Sequence, residues 1–157
     1  MDFEVEHLAG GRESRAALLR FLTRIEGEFN PPLSEFLSLE DYVQKVVGEG
    51  EVGVVSDFTS GEIVGAVIFY CNPNQYRNGW ISVIASQHKR AGIGKNLLLF
   101  AVERCREKKM KGVEIQTWES NAASRALFDA AGFSFVEFRD NRQGGTERSA
   151  FYRLEFD

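Results

Sequence analysis

The sequence predicts a β-rich mixed α/β fold, with two helices in front and two strand–helix–strand units behind. Three observations carry this. Early in the chain, apolar residues recur at helical spacing and a capping serine opens a second helix, two β-branched runs flank a Thr59-Ser60-Gly61 turn, and glycines punctuate an alternation of strand and helix patterns thereafter.

In chain order, FEVEHL alternates weakly and predicts a first strand. Residues from about 13 to 26 carry Leu18, Leu19, Leu22 and Ile25 at helical spacing. Asn30-Pro31-Pro32 stops that helix, because proline lacks an amide donor and restricts the residue before it. Ser38, with Asp41 three residues on, is a near-match to the capping box and opens a second helix ending near Gly48.

EVGVVSDF and EIVGAVIFY then form a hairpin, followed by a polar loop, NPNQYRNG, and a further strand, WISVIAS. Gly92 and Gly94 precede a long amphipathic helix with Ile93, Leu97, Ala101 and Cys105 on one stripe, widened by Leu98 and Val102. Lys108, Lys109 and Lys111 make a basic last turn before Gly112, which reads as the helix stop. A strand VEIQTW, a helix over about 121–131 ended by Gly132, a strand SFVEFR, a turn at QGG and a closing strand SAFYRLEF complete the order.

The 157 residues bound the chain to about one domain, residues 1–157. A chain of this length buries roughly 70% of its unfolded surface, so neither disulfides nor a structural metal is needed, and no metal is expected. The formal charge of −4 demotes a nucleic acid backbone as main partner. The longest apolar stretches, IVGAVIFY and LLLFAV, fall far short of the roughly 20 residues that cross a bilayer, so no membrane partner is expected. MDFEVEHLAG is acidic and lacks an apolar core, so no signal peptide is expected either. Cys71 and Cys105 have no CxxC spacing and read as buried reduced thiols, with the cytoplasm as the default compartment.

The stretch Lys89-Arg90-Ala91-Gly92-Ile93-Gly94-Lys95 lies between a strand and a helix, where glycines admit close backbone approach and free amides attract anions. A Walker A loop needs a glycine where Lys89 stands and Ser or Thr where Asn96 stands. A dinucleotide fingerprint needs a third glycine at Leu97 and would follow a first strand. Both fail, which leaves a plain tight turn or another kind of anion cradle.

K-R-A-G-I-G-K-N-L-L resembles the Q/R-x-x-G-x-G/A signature of the GNAT acetyltransferase superfamily. N-A-A-S-R-A-L-F-D-A-A-G-F, residues 121–133, resembles that family's N-x-x-A-x-x-L-Y-x-x-x-G-F segment. The two motifs stand in the family's order, separated by a long helix and a strand. The resemblance implies a central mixed, mostly antiparallel β-sheet flanked by about four helices. It also implies an acetyl-CoA-dependent N-acetyltransferase. By position, the amides of Arg90, Ala91, Gly92, Ile93, Gly94 and Lys95 would hold the coenzyme A pyrophosphate. Asn121 matches a family asparagine that contacts the cofactor, and it reads equally as a helix N-cap.

WISVIAS resembles the family's Y-I-T-x-I-A-V, which puts the pantetheine contacts at Ile84, Ala85 and Ser86. Counting back from Gly92 without a gap gives Ser82, Val83 and Ile84 instead. The first register keeps the apolar pattern and is preferred; Ile84 belongs to both. One amide of this strand would stabilise the oxyanion of the tetrahedral intermediate.

Two positions depart from the family. Phe128 stands where a tyrosine often serves as general acid, and Gln116 where some protein acetyltransferases have a glutamate base. Glu119, Tyr70, Tyr76, Tyr152 and His88 are weak replacements that read better as packing or surface groups. His7 reads as structural, and the catalytic base is left unassigned. Acceptor specificity would come from about residues 26–37, NPNQYRNG and RDNRQGGTER.

The expected acceptor is a primary amine of a small molecule, an amino sugar first, attacked directly in a ternary complex. The missing acid and base disfavour a peptide or protein acetyltransferase and motivate a different alternative, a catalytically silent acyl-CoA-binding module. A homodimer is expected only from the resemblance, since no residue points to it.

Overall fold

A computed structural model describes residues 4–35, 37–88, 92–140 and 147–157. Seven strands form one sheet: β1 (Glu6–His7), β2 (Glu51–Ser56), β3 (Ile63–Tyr70), β4 (Asn78–Ser86), β5 (Gly112–Trp118), β6 (Ser134–Arg139) and β7 (Ser149–Glu155). Their order in space is β1-β2-β3-β4-β5-β7-β6. Only β4 and β5 run parallel, and every other neighbouring pair is antiparallel. Four α-helices accompany the sheet: α1 (Arg12–Ile25), α2 (Leu39–Glu49), α3 (Ile93–Glu107) and α4 (Ala122–Ala130). The expected mixed, mostly antiparallel sheet with four helices is therefore what the chain forms.

The helices divide between the two faces. Leu18, Phe21, Leu22 and Ile25 of α1 and Val43 and Val46 of α2 bury one apolar stripe against Val52, Ala66, Ile68 and Val83. On the other face, Ile93, Leu97, Leu98, Ala101, Val102 and Cys105 of α3 join Phe128 of α4 against Phe69, Ile81, Val113 and Ile115. The predicted α3 stripe is fully buried at Ile93, Leu97, Ala101 and Cys105. Burying side chains of this size stabilises by about 1.5–3 kcal/mol each, before entropy is counted.

Local signals set most of the boundaries. The Asp41 amide donates to Ser38 Oγ at 3.3 Å, as the capping pattern predicts. Gly132 takes φ 93°, and its amide and that of Phe133 bond back to Asp129 and Phe128, closing α4 in a Schellman turn. The helix stop at Gly112 is corrected. α3 ends in the same turn, but Lys109 takes the left-handed position at φ 66°, with Met110 bonded back to Cys105. Gly112 instead opens β5, where a Cβ would lie 2.5 Å from the Leu154 carbonyl oxygen. The polar loop after β3 is also shorter than expected, because Asn78 and Gly79 pair in parallel with Gly112 and Val113. The expected QGG turn lies outside the described residues.

Cys71 and Cys105 are buried free thiols. The Cys105 thiol, burial and the nearby Glu51 carboxylate all push the Cys71 thiol up, so it stays protonated. Among the described residues, no helix is long and apolar enough to cross a membrane.

Candidate active site

The site is built by an interrupted ladder. β4 pairs with β5 over four positions, from Asn78↔Gly112 to Ile81↔Ile115. On its other edge, β4 pairs with β3 from Trp80 to Ser86, with a bulge that sets Ile81 opposite Phe69 and Val83 opposite Ile68. Ser82 is thus skipped by both ladders. A bulge bends its strand and strengthens the local twist. Beyond it, β4 stays with β3 while β5 continues along β7 to Trp118↔Ser149. The two parallel strands diverge, and a cleft of about 220 Å³ opens between them.

β4 contributes Trp80 to Ile84 to the walls and β5 contributes Ile115 to Trp118. Asn121, Ser124 and Phe128 close the α4 side, while Phe29, Asn30 and Tyr42 come from the α1–α2 side. Phe29 and Trp118 meet edge to face, with ring centroids 6.4 Å apart. Among the described residues, no lining side chain carries a formal charge.

The predicted cofactor residues fall in three groups. Ile84 lines the cleft, with Ser82 and Val83 of the alternative register. Ala85 packs on the α1–α2 core. Ser86 is buried, and its hydroxyl donates to the His88 carbonyl oxygen at 3.1 Å and accepts from the His88 amide. Its side chain therefore closes the turn that leaves β4.

Gly92 takes φ 77° as the N-cap of α3 and has no side chain to cap it. Among the described residues, the Asn96 amide bonds back to the Gly92 carbonyl. Ile93, Gly94 and Lys95 form the first turn of α3, the part of a helix whose amides can receive an anion. The Ile93 side chain is fully buried and Lys95 is exposed. Arg90 and Ala91 lie outside the described residues.

Asn121 caps α4 by accepting from the Ser124 amide at 3.2 Å, and its Nδ2 donates to Thr117 Oγ1 at 2.9 Å. Both ends of this amide are engaged while it also lines the cleft.

The replacement acid–base candidates are committed elsewhere. Glu119 pairs with Arg148, whose guanidinium holds its carboxyl below the usual range. Tyr152 is buried, its hydroxyl accepting from Arg125 Nε at 2.9 Å, and its ring meets Phe128 edge to face at 5.3 Å. Tyr76 and His88 are exposed, and His7 lies 2.9 Å from Glu51 as a structural partner. Gln116 and Phe128 both reach the cleft.

One pair escaped the sequence reading: Tyr42 Oη and Ser82 Oγ are 2.6 Å apart on the cleft wall. Burial pushes the Tyr42 phenol well above its ordinary value, against the opposing pull of the Ser82 hydrogen bond. It therefore keeps its proton at neutral pH. In sequence, no local signal marks Tyr42.

An open strand edge beside a glycine-capped helix start suits a ligand that has both an extended amide-bearing arm and an anionic group. The acetyltransferase (GNAT) family model matches residues 17–133. The chain belongs to that family. It is an acetyltransferase, with acetyl-CoA as donor. Solved structures share the fold. One is the ribosomal-protein-S18-alanine N-acetyltransferase from Escherichia coli, 17% identical over 97% of this chain and 94% of that one, with a TM-score of 0.75. Another is the IAA acetyltransferase from Bacillus cereus, 19% identical over 99% and 100%, at 0.72. A Bacillus subtilis acetyltransferase in complex with CoA is 16% identical over 99% and 100%, also at 0.72. No curated protein matches the chain significantly.

Proposed function

We propose that residues 1–157 act as one acetyltransferase domain that transfers the acetyl group of acetyl-CoA to a primary amine of a small molecule, an amino sugar first. Attack is direct, within a ternary complex. The carrying observation is the composition of the cleft beside the open β4 edge. Trp80, Trp118, Phe29 and Tyr42 supply ring faces, and Ser82, Gln116 and Asn30 supply neutral polar groups. A sugar ring presents apolar C–H faces together with hydroxyls, which matches that mixture. A polyamine would need carboxylates for its second cation, and the described walls carry none.

The pantetheine arm would lie along the β4 edge at Ser82, Val83 and Ile84, with Ala85 and Ser86 beyond. The pyrophosphate would sit on the amides of Ile93, Gly94 and Lys95, extended by Arg90, Ala91 and Gly92. Asn121 would bound the cofactor side of the cleft. Two buried free thiols suit a reducing compartment such as the cytoplasm.

Thermal unfolding with acetyl-CoA at about 100 times its Kd should raise Tm by roughly 5–10 °C. No shift at millimolar ligand would overturn the donor assignment. Release of free CoA thiol is then followed across amino sugars, polyamines, amino acids and peptides. Amino sugars should turn over fastest. Faster turnover of polyamines or peptides would move the acceptor class, and silence with every class would favour an acyl-CoA-binding module.

A further inference from the structure

Acyl transfer from a thioester to an amine requires a net proton movement. As the N–C bond forms and the C–S bond breaks, the nitrogen must lose a proton and the sulfur must gain one. Among the described residues, the cleft offers no ionised side chain for either task. Phe128 has no transferable proton, and the Gln116 amide neither gives nor takes one near neutrality. The nearby titratable groups are tied to other partners, Glu119 to Arg148 and Tyr152 to Arg125.

Hydroxyls remain. Of the hydroxyls that line the cleft, those of Tyr42 and Ser82 contact each other, while Thr117 Oγ1 accepts from Asn121 and Ser124 and Ser149 stand on α4 and β7. The two members of the Tyr42–Ser82 pair come from different elements of the cleft wall. Tyr42 stands on α2, on the side of the aromatic acceptor wall. Ser82 stands on β4, at the bulge where the ladder to β5 has just ended.

We propose that Tyr42 and Ser82 form a two-hydroxyl proton relay between the attacking amine and the departing thiolate. The nitrogen gives its proton to Tyr42 Oη, the Tyr42 proton passes to Ser82 Oγ, and the Ser82 proton passes to sulfur. The amine enters in its neutral form, having lost its ammonium proton to solvent; from there each oxygen gains one proton as it gives one up, so neither residue changes charge. A phenol that keeps its proton at neutral pH suits this role and not that of a phenolate base. The relay rests on the acetyl-transfer reading above and deepens it by assigning its proton path.

The test is single-turnover acetyl transfer by the full chain, with saturating acetyl-CoA and acceptor, in the wild type, Tyr42→Phe, Ser82→Ala, the double variant and Ser82→Thr. Each removal should slow transfer by about 10²-fold, within the range of general acid–base help. The acetyl-CoA Kd should change less than threefold. Because two links of one chain cannot be lost twice, the double variant should be within about threefold of the slower single variant. Ser82→Thr keeps the hydroxyl and should recover most of the rate.

Rates across H₂O–D₂O mixtures should bow downward for the wild type, as several protons move together, and become linear in Tyr42→Phe. A hydrogen bond that merely ties α2 to β4 would lower Tm without changing that curve. Losses that multiply in the double variant, single-variant rates within threefold of wild type, or a linear wild-type inventory each overturn the relay. If the wild type binds acetyl-CoA but transfers to no amine, the enzymatic reading falls and the relay falls with it. An active wild type with an equally active Tyr42→Phe removes the relay alone.

Discussion

The two edges of β4 behave differently. Toward β3 the strand is paired from Trp80 to Ser86, interrupted by one bulge. Toward β5 it is paired only from Asn78 to Ile81. The closed end of the sheet is packed to contact, while the open end leaves backbone groups and uncharged side chains facing a cleft. The cleft thus arises from where a ladder stops, with no need for a gap in the core. One skipped residue, Ser82, both ends the parallel pairing and presents its hydroxyl to α2.

The largest effect should come from Gly112→Ala at the closed end. The added Cβ would stand 2.5 Å from the Leu154 carbonyl oxygen and 3.0 Å from Asn78 Oδ1. The first is backbone and cannot swing away, so β5 and β7 must part where β4 and β5 meet. Overpacking of this kind costs about 3 kcal/mol, which lowers Tm by roughly 6–12 °C. Thermal unfolding measures it. A fall below about 2 °C would show that the closed end yields, and the contrast between the two ends would lose its mechanical basis.

Gly112 also shows what was legible in the sequence. The order of strands and helices could be read because each is local: β-branched runs, the α3 stripe, the Ser38 cap and the Gly132 stop are all patterns within a few residues. Gly112 misled because a glycine after a basic helix end has the form of a helix stop. The left-handed position instead went to Lys109, and the demand for glycine came from Leu154, 42 residues on. Asn78-Gly79 misled for a related reason, since its partners lie in β5 and parallel pairing leaves no local mark. The same holds at the site. Glycines and Asn121 were readable as motifs, but the bulge at Ser82 depends on β3, and Tyr42 finds Ser82 only through the packing of α2 on the sheet.

A smaller effect at the closed end is electrostatic. Glu51 accepts from Arg104 Nε at 2.6 Å and from the Cys71 thiol at 2.8 Å, and lies 2.9 Å from His7 Nε2. Burial alone would raise its carboxyl, but these hydrogen bonds and the positive charge of Arg104 hold it below the ordinary value of 4.5. A group lowered on folding contributes stability above its unfolded value, and that contribution is lost as pH falls through the folded one. Glu51→Gln should therefore cost about 1–2 kcal/mol at pH 7, at the low end for a charged hydrogen bond because Arg104 is about a third exposed. The gap in Tm between variant and wild type should shrink as pH is lowered below about 4.5. Acetyl-CoA should stabilise both proteins equally, since the node lies away from the cleft. A gap that is constant with pH would mean that the charge of Glu51 contributes nothing.

The smallest structural effect belongs to the open end, and there the loss should show in binding. Gly92 takes φ 77°, and among the described residues nothing lies within 4 Å of a Cβ placed on it. Gly92→Ala therefore meets no clash among the described residues and carries the strain of a left-handed alanine, about 1 kcal/mol. Tm should fall by roughly 2–4 °C, far less than for Gly112→Ala. The new methyl group nevertheless occupies space beside the first-turn amides of α3, where a phosphate would approach. Acetyl-CoA affinity should drop about tenfold, equivalent to about 1.4 kcal/mol, as read by titration calorimetry. The two glycines would then separate cleanly, one setting stability and the other ligand binding. Unchanged affinity in a folded Gly92→Ala would place the pyrophosphate elsewhere and leave the glycine as a turn residue alone.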